Sequence, residues 1–101
     1  MTINATNGGA VAYDPRGVVA AEPVPTAPRL TALDGARLAV LDNTKWNAGK
    51  LLRRIAAKLE AENDFAAVTY YRKESFSKNA APDLIEEIAA NSDATLAAIG
   101  D

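Results

Sequence analysis

The sequence lacks both cysteine and histidine. Without these residues the chain has no disulfide bond, no thiol nucleophile and neither of the two commonest zinc ligands. It also lacks the side chain that most often serves as a general base near neutral pH. Catalysis by this chain alone would rest on Asp, Glu, Lys, Tyr or Ser. We expect no metal ion and no bound cofactor.

Long apolar runs and an excess of one charge are missing as well. The net charge is −2, 49% of the residues are hydrophobic and 24% are charged, which is typical of a globular domain and does not favour nucleic acid as a partner. No apolar stretch approaches the ~18 residues of a membrane span, and residues 1–9 do not resemble a signal peptide. These absences predict a cytoplasmic protein that binds neither nucleic acid nor membrane.

The first 35 residues differ in composition from the rest. They are rich in Gly, Pro, Ala, Asn and Thr, with a turn signal at residues 13–17 (YDPRG) and a proline-rich stretch at residues 22–28. Their apolar residues show no periodicity. We interpret residues 1–35 as an N-terminal arm that is either flexible or ordered by a partner, and residues 36–101 as an incomplete α/β domain.

Strand and helix patterns alternate after the arm. Apolar and β-branched runs at residues 37–41, 65–71 and 94–99 predict three strands. Apolar residues at helical spacing predict two helices between them, with Asn47 as the N-cap of the first and Pro82 in the first turn of the second. The predicted buried positions on the helices are Leu51, Leu52, Ile55, Leu59, Leu84, Ile85, Ile88 and Ala89.

The β-α-β-α-β order predicts an α/β fold, namely a Rossmann-like half with a three-stranded parallel sheet. We favour the strand order 2-1-3, which places the helices on opposite faces; the orders 3-2-1 and 1-2-3 remain open. Three strands in ~65 residues bury little surface and leave both outer edges unpaired. We expect an incomplete sheet that is completed either by a missing C-terminal half or by a separate partner subunit.

The loops that follow the three strands share one edge of the predicted sheet, the carboxyl edge, where open α/β sheets bind ligands. The first loop leads into a helix whose free N–H groups suit an anion. We predict a site for a small anionic or polar substrate, built from Asp42, Asn43, Thr44, Lys45, Asn47, Lys50, Arg72, Lys73, Glu74, Ser75, Gly100 and Asp101. The alternative is that Asn47 only caps the helix and that the lysines are merely solvated.

Two features of the first loop qualify this prediction. The pair Gly49-Lys50 does not form a phosphate-binding loop, because Thr44 replaces the first glycine and Leu51 replaces the Ser or Thr after the lysine. Trp46, the only tryptophan, is interpreted either as a lid packed over the helix start or as an interface anchor.

Several segments resemble the amino-terminal part of the UGSC-type (seleno)proteins. They are residues 41–50 (LDNTKWNAGK), 70–77 (YYRKESFS) and 98–101 (AIGD), and residues 13–17 (YDPRG) are similar too. In that family, selenocysteine or cysteine, then Gly, Ser and Cys, follow a segment like residues 99–101. The resemblance implies a selenol or thiol redox site whose nucleophile comes just after Asp101, with no catalytic residue within the chain.

Because UGA encodes selenocysteine and is otherwise read as a stop, we expect a truncated chain that is inactive alone. Lys45, Lys50, Arg72 and Lys73 are candidates for stabilising the anionic nucleophile, and Asp42, Glu74 and Asp101 for moving protons or binding substrate. Two alternatives remain open. The chain is the small subunit of a two-chain enzyme of another class, a hydrolase or a lyase/hydratase, or it is a non-catalytic interaction module.

Overall fold

The computed structural model describes residues 3–5, 11–17 and 20–100. In this part of the chain the elements are β1 (Ile3–Ala5), β2 (Val11–Tyr13), β3 (Arg37–Asp42), α1 (Ala48–Glu62), β4 (Ala67–Arg72), α2 (Pro82–Asn91) and β5 (Ala94–Ala98). Strands β1 and β2 pair antiparallel. The sequence does not predict this pair, because strands of three residues are too short to show an alternating pattern.

The main sheet is parallel, with the strand order β4-β3-β5. This confirms the predicted order 2-1-3, the α/β class and the incomplete sheet, since each outer strand pairs with β3 alone among the described residues. Asp42 at the end of β3 is the register partner of both Arg72 and Ala98. The carboxyl ends of the three strands are therefore level with one another.

Helix α1 packs on one face of the sheet and forms the principal core. Leu38 and Val40 of β3 are buried against Leu52 and Ala56 of α1, which lie four residues apart on one helix face. Ala48 is also buried, whereas Leu51 is 43% exposed. The prediction that Leu51 belongs to the buried face was wrong, because the buried stripe is centred on positions 48, 52 and 56.

Helix α2 is buried less than the sequence predicts. Pro82 begins the helix as expected, with Asp83 in its first turn, and Ile88 is buried. However, Ile85 is 55% exposed and Ala89 is exposed. Their helical spacing shows an apolar stripe but does not show how much of that stripe the small sheet covers. Part of the apolar face of α2 therefore remains in contact with solvent.

The turn before β3 is confirmed and ties the sheet to the end of α1. The Ala36 N–H donates to the Leu33 carbonyl at 3.0 Å, and Gly35 has φ +80°, a backbone conformation that glycine adopts without strain. The Gly35 N–H donates to the Asp64 carbonyl at 2.7 Å, and Asp34 Oδ1 accepts from the Asp64 N–H at 2.7 Å. The start of β3 is thus fastened to the loop between α1 and β4.

The described residues of the arm contribute no buried side chain to the hydrophobic core. Every described side chain between residues 11 and 35 is exposed except that of Asp14, which is partly buried. The molecule measures 65 × 30 × 29 Å along its principal axes. None of the helices described here has the length and apolar character needed to cross a membrane.

Candidate functional site

The loop after β3 is hydrogen-bonded to both neighbouring strands. The Asn43 N–H donates to the Ala98 carbonyl at 3.0 Å, and the Asn43 side-chain amide donates to the Ile99 carbonyl at 2.6 Å. On the other side the Lys73 N–H donates to the Asp42 carbonyl at 2.9 Å. These bonds hold the three loops of the carboxyl edge together.

The same loop contains two residues in left-handed backbone conformations. Thr44 has φ 69° and Asn47 has φ 65°. Asparagine tolerates this region, but for the β-branched threonine it is strained, and such strain is most often found at functional sites. Thr44 is held by its N–H, which donates to Asp42 Oδ1 at 2.7 Å, and by its hydroxyl, which donates to the Asn43 carbonyl at 2.6 Å.

Asn47 is the N-cap residue of α1, as predicted, but its side chain makes no capping hydrogen bond. The first turn of α1 also has no acidic residue, and it contains Lys50 instead. Helix N-termini normally gain stability from a side-chain cap or a nearby negative charge. This end of α1 has neither a side-chain cap nor an acidic residue in its first turn.

A cleft of about 560 Å³ opens on the α1 side of the edge. Six of the predicted residues line it, namely Asp42, Thr44, Lys45, Asn47, Lys50 and Arg72. Four further residues complete the lining, namely Trp46, Gly49, Arg53 and Phe76. The sequence analysis missed Arg53 as a site residue, although it lies three positions after Lys50 and hence on the same helix face.

Gly49 lets the Asp42 carboxylate approach the first turn of α1. A Cβ atom at position 49 would lie 3.1 Å from Asp42 Oδ2 and 3.9 Å from the guanidinium of Arg53. The first distance is shorter than an ordinary van der Waals contact, so any larger residue displaces the carboxylate. Trp46, by contrast, is 88% exposed, so the interpretation of this residue as a packed lid was wrong.

Some of the predicted residues line not the first cleft but a second cavity, of about 360 Å³. Asn43, Lys73 and Gly100 line it together with apolar atoms of β3 and β5, and Lys73 does not line the first cleft. Successive side chains of a strand point to opposite faces, which accounts for the separation of Lys73 from Arg72. An apolar hollow of about 400 Å³, lined by Lys45, Trp46, Phe76 and Ile99, lies at the same edge.

Two of the described predicted residues, Glu74 and Ser75, do not line these cavities. Glu74 forms an exposed ion pair with Lys78 at 3.3 Å, and Ser75 shares a hydrogen bond with Ser77 at 2.9 Å. Asp101 lies outside the described residues. Glu74 and Ser75 thus bond to residues of the same loop. The sequence does not reveal these local partners.

The chain matches a known protein family. A family model described as UGSC family matches residues 11–101 of the chain. No curated protein and no solved structure matches the chain significantly. The matched residues include all five strands and helices from β3 to β5 and the whole lining of the cleft.

Proposed function

The chain belongs to the UGSC family, and from this membership we propose that it is the amino-terminal part or a small subunit of a selenol- or thiol-dependent redox protein. It supplies the scaffold and part of an active-site cleft at the carboxyl edge of the sheet. The nucleophile is the selenocysteine or cysteine of the family motif, which comes after Asp101. One observation carries the proposal: the residues just after β5, Ile99 and Gly100, line cavities that Lys73 and Lys45 also line.

Lys73 is the cation best positioned to stabilise such a nucleophile. Lys73 lines the same cavity as Gly100, which is two residues before the proposed nucleophile. Lys45 lines the neighbouring apolar hollow with Ile99. A positive charge beside a thiol or selenol favours the anionic form and lowers its pKa, and the anion is the reactive species. Lys50 and Arg72 line the cleft on the α1 side and serve the substrate instead.

We also propose that further strands complete the sheet. Within the described residues β4 and β5 each pair only with β3, so each presents an outer edge without a strand partner. Open edges of this kind readily accept another strand. The additional strands come from residues that follow the family motif or from a separate subunit.

The lysine assignment is tested in the protein that carries the motif, with cysteine at the selenocysteine position. The rate of alkylation by iodoacetamide is measured against pH for the parent and for Lys73→Gln, Lys45→Gln and Lys50→Gln. We expect Lys73→Gln to raise the apparent pKa of the nucleophile by about 1 unit, with a smaller rise for Lys45→Gln. Lys50→Gln is the matched control and leaves the pKa unchanged.

An unchanged pKa in Lys73→Gln would remove this lysine from the proposed role. The redox proposal as a whole depends on the nucleotide sequence after codon 101. If the reading frame does not continue with a selenocysteine or cysteine codon and a Gly-Ser-Cys stretch, the proposal is wrong.

A further inference from the structure

We propose that the cleft on the α1 side binds a small molecule that carries both an anionic group and a planar ring, such as an aryl phosphate or an aryl carboxylate. This inference rests on the proposed function, because it names the substrate class of the site at the carboxyl edge. Two independent features of the cleft carry it, a group of cations and a pair of exposed aromatic rings.

The cations come from two different elements. Lys50 and Arg53 lie on α1 and Arg72 ends β4, and all three line the cleft. Within the described part of the chain none of the three forms an ion pair or a side-chain hydrogen bond. Like charges gathered around one cavity repel one another, and a bound anion removes this repulsion. The planar guanidinium groups match the oxygens of a phosphate or carboxylate.

Among the residues that the structure describes, Asp42 is the one carboxylate in the lining, and its single negative charge does not balance the three cations. Its Oδ1 accepts the Thr44 N–H at 2.7 Å, and it forms no ion pair with the three cations. The cleft therefore keeps an excess of positive charge in a chain whose net charge is −2. An anionic ligand is favoured over a neutral or cationic one.

The aromatic rings belong to two loops. Trp46 is 88% exposed and Phe76 is 61% exposed, and both line the cleft and the adjoining apolar hollow with Ile99. An inorganic anion would leave both rings in water. A planar ring attached to the anion would cover them, and aromatic pairs gain energy beyond the area that they bury. The cleft volume of about 560 Å³ lies within the range of roughly 300–1,000 Å³ that is typical of small-molecule sites.

The first experiment is an NMR titration of the ¹⁵N-labelled 101-residue chain, which requires no nucleophile. The ligands are inorganic phosphate (anion alone), benzyl alcohol (ring alone) and phenyl phosphate (both groups), with benzoate to compare carboxylate with phosphate. The indole N–H of Trp46 reports on the ring, and the amide of Gly49 reports on the cleft floor. We expect phenyl phosphate to bind about tenfold more tightly than either single-group ligand.

Variants separate the two features. Arg72→Gln and Lys50→Gln are each expected to weaken the binding of phenyl phosphate and of inorganic phosphate by about tenfold. Trp46→Ala, read at the Gly49 amide, should weaken phenyl phosphate alone and so abolish its advantage over phosphate. The control is Lys58→Gln, an exposed cation about 12 Å further along α1 than Lys50, which should leave all affinities unchanged.

Three results would overturn the inference. Equal affinities for phosphate and phenyl phosphate would show that the rings do not contact the ligand. Absence of binding, or equal losses with Lys58→Gln, would remove the cation site. A shift of the Trp46 signal with protein concentration alone would make the rings a contact between copies of the chain. None of these outcomes bears on the alkylation test with Lys73, so failure of the inference and failure of the proposed function are distinguishable.

Discussion

Single side chains fasten the two ends of the sheet in different ways. At the carboxyl end the Asn43 side chain donates to the Ile99 carbonyl just after β5, while at the amino end Arg37 of β3 pairs with Asp93 just before β5. The Arg37 guanidinium donates to both carboxylate oxygens of Asp93, at 3.2 and 3.0 Å, and the Arg37 N–H donates to Oδ2 at 2.8 Å. The pair joins residues 56 positions apart, so it forms only when the sheet is assembled.

Asp93→Asn should make the free energy of unfolding less dependent on pH in the acidic range. Hydrogen bonds from the Arg37 side chain and backbone lower the pKa of Asp93 from 3.8 to about 2. Because the folded pKa is depressed, the stabilisation is fully present above the unfolded pKa and is lost as the pH falls through about 2. We expect the variant to unfold at a lower urea concentration than the parent at pH 7, and the difference to shrink between pH 4 and pH 2.

Asp14→Asn is the matched control for this measurement. Hydrogen bonds from Arg16 lower the pKa of Asp14 too, but the two residues lie two positions apart within the exposed arm. The control should leave the urea midpoint of the sheet unchanged. A difference between Asp93→Asn and the parent that is the same at pH 2 and pH 7 would contradict the argument, because it would show a loss of packing and not of charge.

Helix α1 is the element on which the core depends, and adjacent leucines of this helix differ in what they contribute. Leu52 is 1% exposed and contacts the buried side chains of β3, whereas Leu51 is 43% exposed. We predict that Leu52→Ala lowers the free energy of unfolding by about 2–5 kcal/mol, since it removes buried contacts and leaves a cavity. Leu51→Ala should cost less than about 1 kcal/mol.

Urea unfolding followed by far-UV circular dichroism measures both changes. The two variants share residue type, helix and neighbourhood, so a difference between them reports burial and not helix propensity. Equal losses would mean that α1 does not pack on the sheet through the stripe of positions 48, 52 and 56.

In the part of the molecule that the structure describes, α1 covers one face of the sheet, and β4 and β5 each have an outer edge without a strand partner. The core on the α1 side is small, α2 buries little more than Ile88, and the arm is exposed. A domain of this size has a small margin of stability, since much of its surface remains in water. These features are the physical basis for proposing that other strands join the sheet.

Native mass spectrometry of the protein from its own cells tests this proposal. We expect an assembly, or a longer chain, heavier than the 10.6 kDa of the 101 residues. A lysine on an outer strand discourages pairing at that edge, so Tyr70→Lys on β4 and Thr95→Lys on β5 should identify which edge is used. A monomer of 10.6 kDa that unfolds cooperatively, or an assembly that neither variant disturbs, would contradict pairing at these edges.

The elements and their order follow from the sequence to a large extent. The alternation of strand and helix patterns predicts a parallel sheet, and the strand order 2-1-3, Pro82 at the start of α2 and the turn at Gly35 are all confirmed. These features depend on local periodicity and on turn chemistry, which neighbouring residues determine. Ile85 and Leu51 were misjudged because periodicity reports which face is apolar but not the area of the surface that covers it.

What the sequence alone determined is therefore the α/β architecture, the strand order and the family, while the carboxyl edge as the functional edge stays a prediction. What only the tertiary structure decided is how the polar residues of that edge are divided. Arg72 lines the cleft beside α1 with Arg53 and Phe76, while Lys73 lines a separate cavity with Gly100. Adjacent side chains at a strand end point to opposite faces of the sheet. Which face α1 covers is settled only when the strands pair in three dimensions.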